Sequence, residues 1–167
     1  MRTVVVLCAI LPSLAMADVD SQFGLGLGTQ YGGFAGFKYS MSLNTNKIYV
    51  GAGLAGPTGD RDDVYGVTLG WEKAITDKHA LGLFVRTKKR ENGDGVYLDY
   101  STSPPDIVSM NKRYESFIGG SYTYYFGKSS EAGFLTGLSA GKTYENTNVK
   151  KEFESGIQYG LHFGYQF

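Results

Sequence analysis

The chain has 167 residues, and its 16 Lys plus Arg match 16 Asp plus Glu for a formal net charge of zero. That balance excludes the basic excess of a nucleic-acid-binding domain. A single Cys excludes a disulfide scaffold, and 24 Gly, 13 Tyr and 10 Phe call for a fold that uses small and aromatic residues together.

Met1 to Ala17 reads as a secretory signal peptide. Met1-Arg2 is a short basic start, Thr3 to Leu14 is mostly apolar, and Ala15-Met16-Ala17 is a small-x-small cleavage site. The apolar run is too short for a membrane-spanning helix, which takes about 20 residues. Cys8 lies inside this segment, so residues 18–167 form a cysteine-free domain.

From there the sequence alternates with period two, the sign of strands. The first predicted strand runs from Gln22 to Tyr31, with Phe23, Leu25, Leu27, Thr29 and Tyr31 on one face and Gly24, Gly26, Gly28 and Gln30 on the other. A tight turn at Gly32-Gly33 leads to the second, Phe34 to Leu43, and the third follows from Lys47 to Gly56. The fourth, Val64 to Lys73, sets Val67, Leu69 and Trp71 against Thr68, Gly70 and Glu72. The fifth spans His79 to Lys88 and the sixth Arg113 to Phe126. The seventh is Ala132 to Tyr144 and the eighth Phe153 to Phe167. Each is about nine residues or more, enough for a tilted strand to cross hydrocarbon.

The connections fall into two classes. Asn44 to Lys47, Ile75 to Lys78 and Gly127 to Glu131 are short. Pro57 to Asp63, Lys89 to Lys112 and Glu145 to Glu152 are longer and polar, and Val96 to Tyr100 in the longest has the pattern of a hairpin extension. Short turns at one end and long loops at the other are the layout of an outer-membrane barrel. The faces give the same answer. One carries Leu, Val, Ile and aromatics; the other carries Gly, Ser, Thr and isolated charges. A soluble barrel would turn its large apolar residues inward, whereas a membrane barrel turns them to lipid. Aromatics also gather in two belts: Phe23, Trp71, Tyr124, Phe126, Phe134, Tyr165 and Phe167 near the short turns, and Tyr31, Phe37, Tyr65 and Tyr144 near the loops. The expected fold is all-β, an eight-stranded antiparallel transmembrane β-barrel of up-and-down meander topology.

By parity, Lys38, Glu72, Arg86, Glu115, Glu154 and His162 point into the barrel. Charges there must pair or meet water, so they form either a lumen network that plugs the barrel or a narrow ion path. The two histidines, His79 and His162, converge with no serine and acid by parity, and no catalytic set is expected. Asp60 to Asp63 and Glu91 to Gly95 are acidic but lack the spacing of a calcium loop, so no metal or other cofactor is expected. Lys88, Lys89, Arg90, Lys112, Arg113 and Lys142 lie at the loop-end mouth. They form a candidate rim for lipopolysaccharide phosphates.

The signal end Ala15-Met16-Ala17, the eight alternating strands and the terminal Tyr159-x-Leu161-x-Phe163-x-Tyr165-x-Phe167 together resemble the small eight-stranded outer-membrane proteins of Gram-negative bacteria, of the OmpA transmembrane-domain and OmpX/Ail type. The resemblance implies the cell outer membrane as location, outer-membrane lipids and lipopolysaccharide as surroundings, and the barrel-assembly machinery as a partner during biogenesis. In that family the last strand is the assembly signal, which here corresponds to Tyr159, Leu161, Phe163, Tyr165 and Phe167. It also implies a structural or surface-interaction role, in adhesion or host contact, through the loops. A narrow pore is the alternative, and a lipid A-modifying barrel enzyme a weaker one. The near-absent first loop departs from the family's adhesins, and no His-x-Ser pattern of the lipid A deacylase barrels is found. Fold alone does not choose among these roles.

Overall fold

The computed structural model describes residues 19–57, 63–90, 95–99, 103–104, 106–110, 113–146 and 153–167. Its strands are β1 (Asp20–Gly28), β2 (Gly33–Leu43), β3 (Asn46–Pro57), β4 (Asp63–Thr76), β5 (His79–Arg90), β6 (Gly95–Asp99), β7 (Asp106–Met110), β8 (Arg113–Tyr125), β9 (Gly133–Asn146) and β10 (Phe153–Gln166). Eight of them close a barrel in the order β1-β10-β9-β8-β5-β4-β3-β2, with every neighbouring pair antiparallel, and β6 and β7 form a separate two-stranded sheet. The segment from Gly95 to Asp99, which includes most of the expected hairpin extension, pairs with Asp106 to Met110. Residues 1–17 lie outside the described part.

Closure depends on the two terminal strands. Gly24 to Gly28 of β1 pair with Gln166 to His162 of β10, and the Phe167 amide donates to the Phe23 carbonyl at 2.7 Å. Over these rungs the closure removes the open edges that terminal strands otherwise expose.

Alternation decides which way each side chain points. Leu25, Phe37, Val50, Leu69, Leu83, Ile118, Leu138 and Leu161 come from all eight barrel strands and are exposed on the outer wall. Tyr49, Phe84, Phe117, Tyr125 and Leu135 fill the interior together with buried Lys38, Glu72, Thr68, Thr123 and His162. The barrel is therefore apolar outside and mixed polar and aromatic inside, the reverse of a soluble barrel.

One expectation is overturned. The first strand does not continue to Tyr31, and Gly32-Gly33 is not a simple hairpin. β1 ends at Gly28 (φ 96°), and Thr29–Tyr31 form a 3-10 turn whose three side chains are all buried, closed by left-handed Gly32 (φ 80°). Positive φ at both ends, which glycine adopts without steric cost, turns the chain inward between them. Thr29 and Tyr31 thus leave the outer wall, and Tyr31 does not join the loop-end aromatic belt.

Candidate functional site: the filled lumen

At the short-turn mouth, the Lys47 ammonium donates to Ser129 O at 2.8 Å, Gln22 Oε1 at 2.9 Å, Gln166 Oε1 at 3.3 Å and Tyr125 OH at 3.4 Å. It also stands 4.7 Å from the Tyr125 ring centre. The turn from Phe126 to Ala132 folds over this mouth. Gln166 Nε2 donates to Ser129 O and Glu131 O, and the Ser129 amide donates to Asp77 O at 2.7 Å.

The next layer centres on Glu72, only 1% exposed. Its carboxylate accepts from Gln30 Nε2 at 2.6 Å, Thr123 Oγ1 at 2.7 Å and Tyr125 OH at 2.9 Å. Lys38 donates to Gln30 Oε1 at 2.8 Å and lies 5.4 Å and 5.0 Å from the ring centres of Tyr31 and Tyr49. The lysines thus reach the carboxylate through neutral groups, Gln30 for Lys38 and Tyr125 for Lys47. Each buried charge is hydrogen-bonded, which offsets desolvation. His162 Nε2 is 3.1 Å from Thr123 Oγ1. Because that hydroxyl donates to Glu72, the imidazole donates from Nε2 and leaves Nδ1 as an acceptor without a partner.

Above Glu72 sits the 3-10 turn. Thr68 Oγ1 donates to Thr29 O at 2.9 Å, and Thr29 Oγ1 meets Ser139 Oγ at 3.1 Å. Glycines on the inner wall make room for the large rings. A Cβ on Gly70 would run into the Tyr49 ring, and one on Gly164 into the Tyr31 hydroxyl. Higher still, Phe84 and Phe117 stack at 5.4 Å.

Of the charges that parity placed inside, Lys38, Glu72 and His162 meet in one network. Arg86 and Glu115 sit apart from it: Arg86 lies 5.7 Å from the Phe117 ring centre, and Glu115 pairs with Lys88 at 2.9 Å. Lys88 is thus turned to an inner-wall carboxylate rather than out to the rim. Lys142 is exposed. The side chains of Glu154, Lys89, Arg90 and Arg113, all of Lys112, and the acidic stretches 60–62 and 91–94 lie outside the described residues. Among the described residues no cluster of three or more His, Cys, Asp or Glu is placed to hold a metal ion.

Lys47, Gln30, Gln22 and Gln166 also belong to the network, although the alternation of charges alone does not single them out. Lys47 and Gln166 carried a usable signal: each shares strand parity with an inward residue, Tyr49 and His162 respectively. Gln30 stands on the inward, glycine-bearing face of the first predicted strand, and the 3-10 turn, not a strand, carries it inside.

The closing motif presents Tyr159, Leu161, Phe163 and Phe167 on the outer wall. Near the short turns, Tyr165 packs edge-on against Phe134 at 4.9 Å and Phe167 at 5.0 Å, while Phe134 stacks on Phe163 at 5.8 Å. His79 Nδ1 meets Tyr122 OH at 2.6 Å, and Trp71 Nε1 donates to Asn46 Oδ1 at 3.2 Å. Aromatic rings, some with a polar tip, thus gather at this end. No protein-family model, no curated protein and no solved structure matches the chain.

Proposed function

We propose that the chain is an integral outer-membrane β-barrel of the small OmpA/OmpX type, exported through a cleaved signal at residues 1–17, with a structural or surface-interaction role carried by its long-loop end. The observation that supports this most is the outer wall: large apolar side chains from all eight barrel strands face outward. In water such a surface favours association, whereas in a bilayer it is the lipid contact. The aromatic residues at the short-turn end suit an interface with lipid headgroups, and the β1–β10 rungs from Gly24 to Gly28 pair the terminal strands through that half of the wall, as backbone facing hydrocarbon requires.

A filled lumen favours the structural reading over the pore. Turn 126–132, the Lys47 layer, the Glu72 layer and the 3-10 turn stack one above another with side chains from both sides in contact. The enzyme reading finds little support in Thr123, His162 and Glu72, since the threonine proton is given to the carboxylate and not to the imidazole. Lipopolysaccharide contact at the loop-end rim remains part of the proposal, without Lys88.

The test is refolding into lipid vesicles. A folded membrane barrel migrates faster on a gel before boiling than after, and protease leaves the strands intact. Migration that boiling does not change contradicts the reading. Deleting residues 91–109 is expected to spare this folding and to abolish binding to surfaces or host cells; retained binding would move the function away from this loop.

A further inference from the structure

The wall has a gap where β1 turns inward. The last rung between β1 and β10 is Gly28 with His162. Beyond it, Ile157 to Leu161 of β10 continue beside β9 with no partner from β1 or β2 among the described residues. On the far side of the gap, β3 continues past its last rung with β2, Ala35 with Leu54. A cavity of about 330 Å³ fills the opening, with Gly28, Gly33 and Ala55 at its near side and Arg86 and Phe117 at its back.

Two features of this cavity point to one kind of ligand. Its outer lip is formed by Tyr159, Leu161 and Phe34, which at 82%, 70% and 67% are the most exposed large apolar side chains among the described residues. Its inner end holds a cation. The Arg86 guanidinium rests on the Phe117 ring and has no hydrogen bond or ion pair among the described residues; the charge of Glu115 acts on it from a distance, while that carboxylate pairs directly with Lys88. The Gln158 side chain, also in the lining, accepts from Thr143 through Oε1 at 2.7 Å, so its amide N–H groups are available to a ligand.

We propose that this gap is a lateral portal for a single-chain amphiphile with an anionic head, the chain lying along Tyr159, Leu161 and Phe34 and the head bound by Arg86. The proposal rests on the membrane reading above, since the chain enters from the lipid. Arginine is suited to this role, being always charged and able to hold a carboxylate or phosphate with two parallel donors.

The probe is nitroxide-labelled stearate and its methyl ester, each in phosphatidylcholine vesicles containing the refolded barrel, in alkaline buffer where the acid is ionised. Electron paramagnetic resonance reads the motion-restricted fraction. A charge-assisted hydrogen bond predicts about tenfold preference for the acid over the ester. Arg86→Gln should bring the ratio to one, Arg86→Lys should keep a preference, and Lys73→Gln on the outer wall should change nothing. If Arg86→Gln does not fold, Ala55→Phe, which narrows the opening and leaves the charge, should lower binding of acid and ester alike. An acid preference that survives Arg86→Gln, or no preference in the parent, overturns the proposal. Displacement of the acid by equimolar free phosphate would show an ion site and overturn the lipid portal. A chain that does not insert into the vesicles contradicts the membrane reading itself, whereas one that inserts and shows no preference contradicts the portal alone.

Discussion

At the residue scale, Glu72 is the group on which the lumen depends. It accepts three hydrogen bonds, and its single negative charge acts on two ammonium groups, Lys38 and Lys47. Removing one member of a buried charge set leaves the others uncompensated, at about 3–5 kcal/mol. Glu72→Ala is therefore expected to lower stability by about that amount, read from the urea midpoint in vesicles. The double replacement Lys38→Met with Glu72→Leu should cost less than the sum of its singles, because it removes both charges. Additive costs would contradict the coupling. Gly70 provides a steric counterpart. Its Cβ position is occupied by the Tyr49 ring, so Gly70→Ala should destabilise by about 1–3 kcal/mol and become nearly neutral in a Tyr49→Ala background.

At the element scale, two connections do the sealing. The 3-10 turn ends at Gly32 with φ 80°, and a Cβ there would collide with backbone atoms of Gly66, Gly53 and Ala52. Gly32→Ala is expected to destabilise by more than about 1 kcal/mol, since neither the backbone angle nor the space suits a side chain; an unchanged urea midpoint would mean the turn is not held inside. The turn from Phe126 to Ala132 is fastened from within by Lys47 and Gln166. On its surface, Lys128 and Glu131 pair at 2.9 Å. The Lys128 hydrogen bond holds the Glu131 carboxyl below its ordinary range. Its contribution is therefore present above the unfolded carboxylate range and is lost as pH falls through the folded value. Both groups are exposed, so solvent screens the pair, and Glu131→Gln should remove only a slight loss of the urea midpoint in acid; a large change in that pH dependence would show the pair to be unscreened.

The strands and the apolar outer face were legible because period two survives any tilt or curvature of the sheet. Parity likewise placed Lys38, Glu72 and His162 on one side of three distant strands. It failed at Thr29 and Tyr31, where two positive-φ glycines interrupt the alternation. By period two those glycines fall in strand and hairpin positions, although Gly28 and Gly32 flanking a short polar stretch are a visible signal. Which inward charges touch was also hidden, since it depends on register between strands. Register placed Lys88 beside Glu115 and left Arg86 outside the Glu72 network.

For the whole molecule, stacked plugs predict that the refolded barrel does not conduct in planar bilayers, and steady open-channel steps from the parent chain would refute the sealed lumen. The central claim is that the apolar outer wall meets lipid, and Trp71 reports on it directly, being the only tryptophan of the chain and 40% exposed on that wall. Refolded into vesicles whose acyl chains carry bromine, Trp71 is predicted to lose most of its fluorescence while remaining shielded from aqueous iodide. Fluorescence untouched by the brominated chains but quenched by iodide would place the wall in water and contradict the account.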